Sequence, residues 1–312
     1  MTPRMFGMLI SLAAVWGASF LFIRIGAAPF GPIPLMAMRV SIAAVCLLVF
    51  MLGKQSRRRS PGAPVSGFAA MRGHWPALIV VGVLNQALPF CLFAYAELTL
   101  SAGVTSVVNA TTPLWAALVA FVWLGDRLGR LRAVGMLLGL IGVVVLVWPD
   151  LTHGAGPQAN PLAPLAVLGA TLCYGIAANY TKRHLTGVDS LAVATASMLV
   201  ASVALLPLAW IWWPANAIST QAWIAVTLLG VLCTAFAYGL YYALIASAGP
   251  ARAVSVTFLI PVFGLLWGAL FLKEALTPLT LIGSCIVLAG TLLASGLIGK
   301  RAAPIRSAAA RP

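Results

Sequence analysis

Charge is what this 312-residue sequence has least of. Only 8% of its residues are Asp, Glu, Lys or Arg, whereas 62% are hydrophobic. A soluble domain usually carries about 25% charged residues to cover its surface. This shortage excludes an ordinary soluble protein and predicts that most of the surface faces lipid.

Acidic and nucleophilic groups in reactive arrangements are also missing. The five carboxylates all fall at the ends of apolar runs or between them: Glu97, Asp126, Asp150, Asp189 and Glu274. The three histidines lie outside the runs, and the five cysteines are scattered singly, without the spacing of a metal site. With no HExxH, no GxSxG and no paired intramembrane aspartate, the sequence argues against an enzyme and predicts neither a metal nor a cofactor.

What the sequence has instead is long apolar runs. A helix needs about 20 mainly apolar residues to cross a bilayer, and barrel strands would alternate polar and apolar residues in short segments. These runs do not alternate, so the sequence predicts an all-α integral membrane protein with ten transmembrane helices. The predicted spans are residues 5–27, 32–52, 75–95, 102–123, 132–149, 162–181, 190–212, 221–244, 253–272 and 278–299.

The formal charge of +14 suggests nucleic-acid binding until the basic residues are placed. With a cytoplasmic N-terminus and alternating spans, every Lys and Arg falls on the cytoplasmic side except Lys273, which lies outside, and Arg24 and Arg39, which lie within spans. This is the positive-inside pattern. It predicts a multi-pass protein of the cell inner membrane with both termini cytoplasmic, in contact with lipid and not with nucleic acid. The first run predicts a retained helix, the alternative being a cleaved signal peptide.

Four pairs of segments repeat in the same order in the two halves of the chain. Trp16, Gly17 and Arg24 correspond to Tyr174, Gly175 and Lys182, and YAELTLSAG at 95–103 corresponds to YYALIASAG at 241–249. Pro113 and Asp126 correspond to Pro261 and Glu274, each pair 13 residues apart, and Gly135 and Gly142 correspond to Gly283 and Gly290. Because each copy holds five helices, the second must enter the membrane from the opposite side.

The predicted organisation is therefore two inverted five-helix repeats. The first repeat covers residues 1–149, an external linker 150–161, the second repeat 162–299 and a basic cytoplasmic tail 300–312. The glycines of the fifth and tenth helices allow close helix approach. They can serve as a scaffold within the chain or as a contact between two copies.

At this point the residues match a known family. WGASFLFIR, the Ser-Ala-Gly segment followed by proline, the acidic residue 13 positions after that proline and the glycine-spaced fifth helix resemble an EamA-type unit. Two such units make a ten-helix member of the drug/metabolite transporter superfamily, and the sequence is most similar to bacterial amino-acid and metabolite exporters. One departure is Tyr174, which stands where the first copy has Trp16.

Residues 105–115, TSVVNATTPLW, place polar groups and a helix breaker inside a predicted span. Thr105, Asn109 and Thr112 share one helical face, and Pro113 frees a backbone carbonyl about one turn earlier. In lipid such a carbonyl must face protein or a water-filled cavity. The face either joins helices together or lines a cavity, and the repeat of Asn109 and Pro113 as Thr257 and Pro261 favours the cavity.

Similar faces on other helices predict a central site enclosed by helices 1, 3, 4, 6, 8 and 9, an arrangement that the resemblance also implies. The candidate substrate-binding residues are Trp16, Asn85, Tyr95, Thr105, Asn109, Thr112, Tyr174, Thr234, Tyr238 and Thr257, and the candidate hinge residues are Pro89, Pro113 and Pro261. Arg39 could bind a substrate carboxylate, although a helix-end carbonyl is the favoured partner. Arg24 is expected to reach the headgroups.

These features predict a secondary transporter that exports small zwitterions, above all amino acids, by alternating access. An exporter of drugs or nucleosides is the alternative within the superfamily, and an intramembrane enzyme or a receptor is a more distant one. Because no carboxylate is predicted deep in a span, facilitated transport or exchange is favoured over tight proton coupling.

Overall fold

A computed structural model describes residues 2–57, 71–126, 128–152 and 160–295. In that part of the chain all regular structure is helical, and ten helical spans follow one another. They are α1 (Pro3–Phe30), α2 (Pro32–Arg57), α3 (Trp75–Ala96), α4 (Ala102–Leu124), α5 (Arg130–Thr152), α6 (Leu162–His184), α7 (Ser190–Ile211), α8 (Thr220–Ala248), α9 (Pro250–Val254, Ser255–Phe258 and Ile260–Leu272) and α10 (Pro278–Ala294).

Nine of these spans, within the described ranges, are long and apolar enough to cross a membrane, and α10 is a shorter apolar helix. The predicted fold class is confirmed. The loop at 58–70, most of the linker and the tail lie outside the described residues, so the predicted domain boundaries there stay predictions.

Four of the spans are not continuous α-helices. A π-helical segment interrupts α3 at Val83–Ala87 and α8 at Val231–Phe236. A turn at residues 110–111 divides α4, and a 3-10 segment at Ser255–Phe258 interrupts α9. These four helices are the third and fourth of each half, so the irregular backbone recurs at corresponding places.

The first helix of each half packs on the fourth helix of the other half. A methyl group at Gly17 of α1 would come within 2.6 Å of Phe263 Cβ in α9. One at Gly175 of α6 would come within 2.8 Å of the Ala116 backbone nitrogen in α4. The same contact therefore occurs twice, as an inverted repeat requires, and only glycine permits it.

The remaining helices follow the same pseudo-symmetry. Gly82 of α3 lies against Val200 of α7, and Gly230 of α8 lies against Ile42 of α2. The helices α5 and α10 pack on each other through glycines, since a methyl group at Gly142 would come within 2.6 Å of the Val287 nitrogen. This supports the scaffold interpretation of the pair.

Candidate functional site

Arg39 of α2 lies in the middle of the helix bundle with only 6% of its surface exposed. Its Nε donates a hydrogen bond to Thr234 Oγ1 at 3.1 Å, and its guanidinium carbon lies 3.7 Å from the centroid of the Phe90 ring. The favoured expectation that Arg39 pairs with a helix-end carbonyl is wrong. Its partners among the described residues are a hydroxyl from α8, an aromatic face from α3 and, as a weak acceptor, the Met36 sulfur.

The π-helical segment of α8 explains why Thr234 is available. Thr234 Oγ1 donates to the Leu229 carbonyl at 2.8 Å, five residues earlier, so the widened turn keeps that carbonyl bonded. The hydroxyl oxygen can then accept from Arg39. A cation stacked on an aromatic ring is attracted to it, and Arg does this well because its guanidinium is planar.

The matching π-helical segment of α3 supplies an amide. Gln86 is 1% exposed, and its Nε2 donates to the Tyr238 hydroxyl at 3.0 Å. Its Oε1 has no hydrogen-bond partner among the described residues. The sequence prediction selected the neighbouring Asn85, which is half-buried, and missed Gln86 because a π-helical turn changes which side chains share a face.

Aromatic rings surround this polar centre in two groups. Trp16 packs on Tyr241 with ring centroids 5.3 Å apart, and Tyr238 packs on Tyr242 at 5.9 Å. In the second group, the ring centroids of Phe93 and Tyr174 lie 5.8 Å apart. Tyr174 and Tyr238 are both within electrostatic range of Arg39. The structure thus brings together Trp16, Asn85, Tyr174, Thr234 and Tyr238, five of the residues that the sequence singled out.

Other predicted site residues use their polar groups locally. Thr105 is fully buried, and its hydroxyl donates to the Ser101 carbonyl at 2.9 Å. The Thr257 hydroxyl donates to the Val254 carbonyl at 2.8 Å. The Tyr95 hydroxyl accepts from Asn160 Nδ2 at 2.8 Å, at the end of α3 beside the linker. No substrate contact is needed to explain these three side chains.

The break in α4 follows directly from Pro113. An ordinary residue at 113 would donate its N–H to the Asn109 carbonyl four residues earlier, which proline cannot do. The Thr112 hydroxyl instead donates to that carbonyl at 2.8 Å. Asn109 is half-buried and lies beside the break. Pro89 follows the π-helical segment of α3, and Pro261 lies in the first turn of the last segment of α9.

Two carboxylates meet where α3 ends and α4 begins. Glu274, in the connection after α9, accepts from the backbone nitrogens of Ala102 and Gly103 at 2.7 and 3.0 Å. It thereby caps the first turn of α4, where the helix dipole favours negative charge. Glu97 follows α3 directly, as the sequence indicated, but its side chain is fully buried, which the sequence did not indicate.

A groove of about 400 Å³ lies apart from this centre, between α1, α8 and α9. Its lining is mainly apolar, with Phe22, Trp267 and Phe271 prominent. The indole nitrogen of Trp267 already donates to the Ala14 carbonyl at 3.0 Å. Few polar groups line the groove, so the Arg39 cluster is the better candidate site for a polar substrate.

Comparison with known proteins agrees with this architecture. The sequence model of the EamA-like transporter family matches residues 4–148 and again 161–296. An uncharacterized inner membrane transporter of Escherichia coli K12, YedA, is 25% identical over 97% of this chain and 93% of its own length. An uncharacterized transporter of Bacillus subtilis, YvbV, is 23% identical over 92% of this chain and 90% of its own length.

Another relative, from Streptantibioticus cattleyicolor, is described as a probable terminal-alkyne amino-acid exporter. It is 25% identical over 91% of this chain and 91% of its own length. A solved crystal structure superposes with a TM-score of 0.64 over 96% of this chain and 100% of that one, at 18% identity. At that identity the likeness shows the fold alone.

Proposed function

The chain belongs to the EamA-like transporter family, and from that membership we propose that it exports small zwitterionic metabolites, above all aromatic and neutral amino acids. Transport is the family's activity, and the nine long apolar helices and one shorter one of the described ranges make this a multi-pass membrane protein. The finer proposal concerns what is carried and how. It is supported by the residues around Arg39.

The observation that carries the proposal is a buried arginine stacked on a ring and bonded to a neutral hydroxyl. Of the five N–H donors of a guanidinium, the Nε–H of Arg39 is bonded to Thr234, and an Nη1 hydrogen points to the Met36 sulfur at 3.9 Å, a weak acceptor. A substrate carboxylate is the strong acceptor that such a fork fits. A buried charge of this kind is costly unless it is paired during function.

The rest of the cluster suits the other parts of an amino acid. The Gln86 Oε1 has no partner among the described residues and can accept from an ammonium group. The rings of Tyr174, Tyr238 and Trp16 are half-buried and offer faces to an aromatic or aliphatic side chain. The relative described as an amino-acid exporter supports the same substrate class.

Alternating access is supported by the repeated contacts of the two halves. Each half contributes one π-interrupted helix and one broken helix to the centre, so one half can rock against the other around a fixed site. We also propose that both termini are cytoplasmic, on the basic residues of the cytoplasmic loops. This places the junction of α3 and α4 at the outer end.

The test is substrate-induced thermal stabilisation of the purified protein by a panel of amino acids. Arg39→Gln is expected to weaken binding by at least about tenfold, since a hydrogen bond to a charged group contributes about 1.5–3 kcal/mol. Arg39→Lys should also bind weakly, because an ammonium group loses the fork and the stacking. The control is Arg252→Gln, which changes an exposed arginine in the first segment of α9. Equal stabilisation of Arg39→Gln and wild type would refute the carboxylate contact.

A further inference from the structure

Glu97 is a buried carboxyl that the proposed transport site does not use. Its side chain is 0% exposed, and neither carboxyl oxygen has a hydrogen-bond partner among the described residues. Its backbone is well bonded: the N–H donates to the Phe93 carbonyl at 2.9 Å, and its own carbonyl accepts from Arg24 Nη1. The local fold therefore holds the residue in place while leaving the acidic group without donors.

Three charged groups face this carboxyl from the elements packed around it. Arg24 comes from α1, Arg39 from α2 and Glu274 from the connection after α9. Arg24 bonds the Glu97 backbone and not its carboxylate. Glu274 is held by the two α4 nitrogens, which are the donors that an ionised carboxylate needs. Among the described residues, the carboxylate of Glu274 therefore has hydrogen-bond donors and that of Glu97 has none.

Burial, reinforced by the nearby Glu274 carboxylate and only partly opposed by Arg24 and Arg39, raises the pKa of Glu97 well above its usual value. An ionised carboxylate without partners is far more costly to bury than a neutral carboxyl group. The packing around Glu97 in this conformation is thus compatible with the protonated acid.

The two ends of the bundle differ at this position. The repeat of YAELTLSAG as YYALIASAG places Ala243 where the first half has Glu97. Ala243 is exposed, whereas Glu97 is fully buried. Likewise Asp126, the counterpart of Glu274, is exposed. Among the described residues, the α3–α4 end therefore holds a buried carboxyl, and the corresponding positions of the other half do not.

We propose that Glu97 is a proton-binding site that must be filled before the α3–α4 end of the transporter can close. When that end opens, Glu97 meets water and loses its proton to the medium; when a proton binds, the neutral group can return to the interior. The inference rests on the proposed function only in taking the protein to alternate between two ends.

The sign of the effect follows from the difference between the two states. The closed state has the raised pKa and binds the proton more tightly, so lowering the pH favours closure. The ratio of open to closed molecules should change by up to about tenfold per pH unit between the ordinary Glu pKa of about 4.3 and the raised value in the closed state.

The site is also linked to the proposed substrate contact. A substrate carboxylate that neutralises Arg39 removes one of the two positive charges that oppose protonation of Glu97. By reciprocity, protonation of Glu97 should strengthen carboxylate binding by the same factor. Acidic pH is therefore expected to tighten substrate binding in wild type and not in Glu97→Gln.

The experiment measures opening of this end without any substrate. Ala96, fully buried beside Glu97, is replaced by cysteine in a variant whose five native cysteines are replaced, and its labelling by a membrane-impermeant maleimide is followed in liposomes. With Glu97 present, the accessible fraction should fall as the pH falls, after correction for the pH dependence of the maleimide reaction. With Glu97→Gln, which imitates the protonated acid, it should be low at every pH. The control is Asp126→Asn, which removes the exposed carboxylate that corresponds to Glu274 in the other half. In this variant the accessible fraction should fall with pH as it does with Glu97 present.

A second measurement tests the proton site even where Glu97→Gln expresses poorly. The infrared spectrum of the protein with Glu97 should contain the C=O stretching band of a protonated carboxylic acid at neutral pH, and Glu97→Asp should shift it. Absence of such a band, or unchanged pH-dependent labelling in Glu97→Gln, would overturn the proton site. Either result leaves the proposal of an amino-acid substrate unaffected. If the band is present but the wild-type protein binds no amino acid, the substrate proposal is refuted and the proton site is not.

Discussion

Individual polar residues of α4 illustrate two different uses of a hydroxyl or amide in a membrane helix. Thr105 is fully buried and bonded to its own helix, while Asn109, one turn later, is half-buried beside the break at Pro113. A group bonded within its helix contributes to packing. A half-buried amide beside a break in the helix can meet a substrate.

We therefore expect Asn109→Leu to reduce transport at least about tenfold while the protein stays folded, since it removes a neutral hydrogen-bonding group from the half-buried face beside the break and fills similar volume. If Asn109 only joins helices, the change should cost roughly 0.6 kcal/mol of stability and leave flux intact. Flux in liposomes and the unfolding temperature in detergent distinguish the two.

Thr105→Val is the matched control. The Ser101 carbonyl that accepts the Thr105 hydroxyl also accepts the Thr105 backbone N–H at 3.0 Å, so it stays bonded in the variant. The stability should change by no more than about 1 kcal/mol and transport should be normal. Normal transport by Asn109→Leu as well would assign the whole face to packing.

The central residues could be predicted from the sequence only in part. Trp16, Tyr174, Thr234 and Tyr238 were found because polar and aromatic residues in apolar spans are informative. Gln86 was missed because a residue's face depends on helix period, and the period changes inside a π-helical segment. Glu97 was placed correctly at the end of α3, but its burial depends on packing between distant segments, which local sequence does not encode.

At the scale of helices, the two broken spans are the elements expected to move. Pro113 removes the donor for the Asn109 carbonyl, and the Thr112 hydroxyl replaces it at 2.8 Å. The corresponding Pro261 follows the 3-10 segment of α9. The break in each helix was predicted from its proline, whereas the two π-helical segments were not, because no proline lies within them.

Pro113→Ala restores a backbone donor and should stiffen α4. We expect it to slow turnover more than it weakens substrate binding, and Pro261→Ala to behave alike because both breaks serve the same rocking motion. Pro207→Ala is the control, since Pro207 lies inside α7 but is exposed at its surface. Unchanged turnover in both test variants, measured beside their binding constants, would remove the breaks from the mechanism.

At the scale of the whole molecule, hydrophobic runs were enough to predict ten spans, and repeat spacing was enough to predict their inversion. The contacts between the halves agree in detail, since Gly17 meets Phe263 as Gly175 meets Trp115 and Ala116. The orientation in the membrane rests on basic residues alone and stays a prediction.

That orientation predicts that a cysteine placed at Ser56, in the last turn of α2, is labelled from the cytoplasmic side only. Intact cells treated with an impermeant reagent should leave Ser56→Cys unmodified, and inverted membrane vesicles should label it. A cysteine at Asn160, in the predicted external linker, should give the reverse result. Labelling of Ser56→Cys in intact cells would contradict the predicted topology.

The central claim, that this transporter moves amino acids by binding their carboxylate at Arg39, is tested most directly by counterflow in liposomes. Vesicles loaded with unlabelled phenylalanine should take up labelled phenylalanine from outside. Loading with phenethylamine, which lacks only the carboxylate, should drive no uptake of labelled phenylalanine. Arg39→Gln should show no uptake with either compound inside the vesicles. Equal counterflow with phenethylamine and phenylalanine, or full activity of Arg39→Gln, would contradict the account.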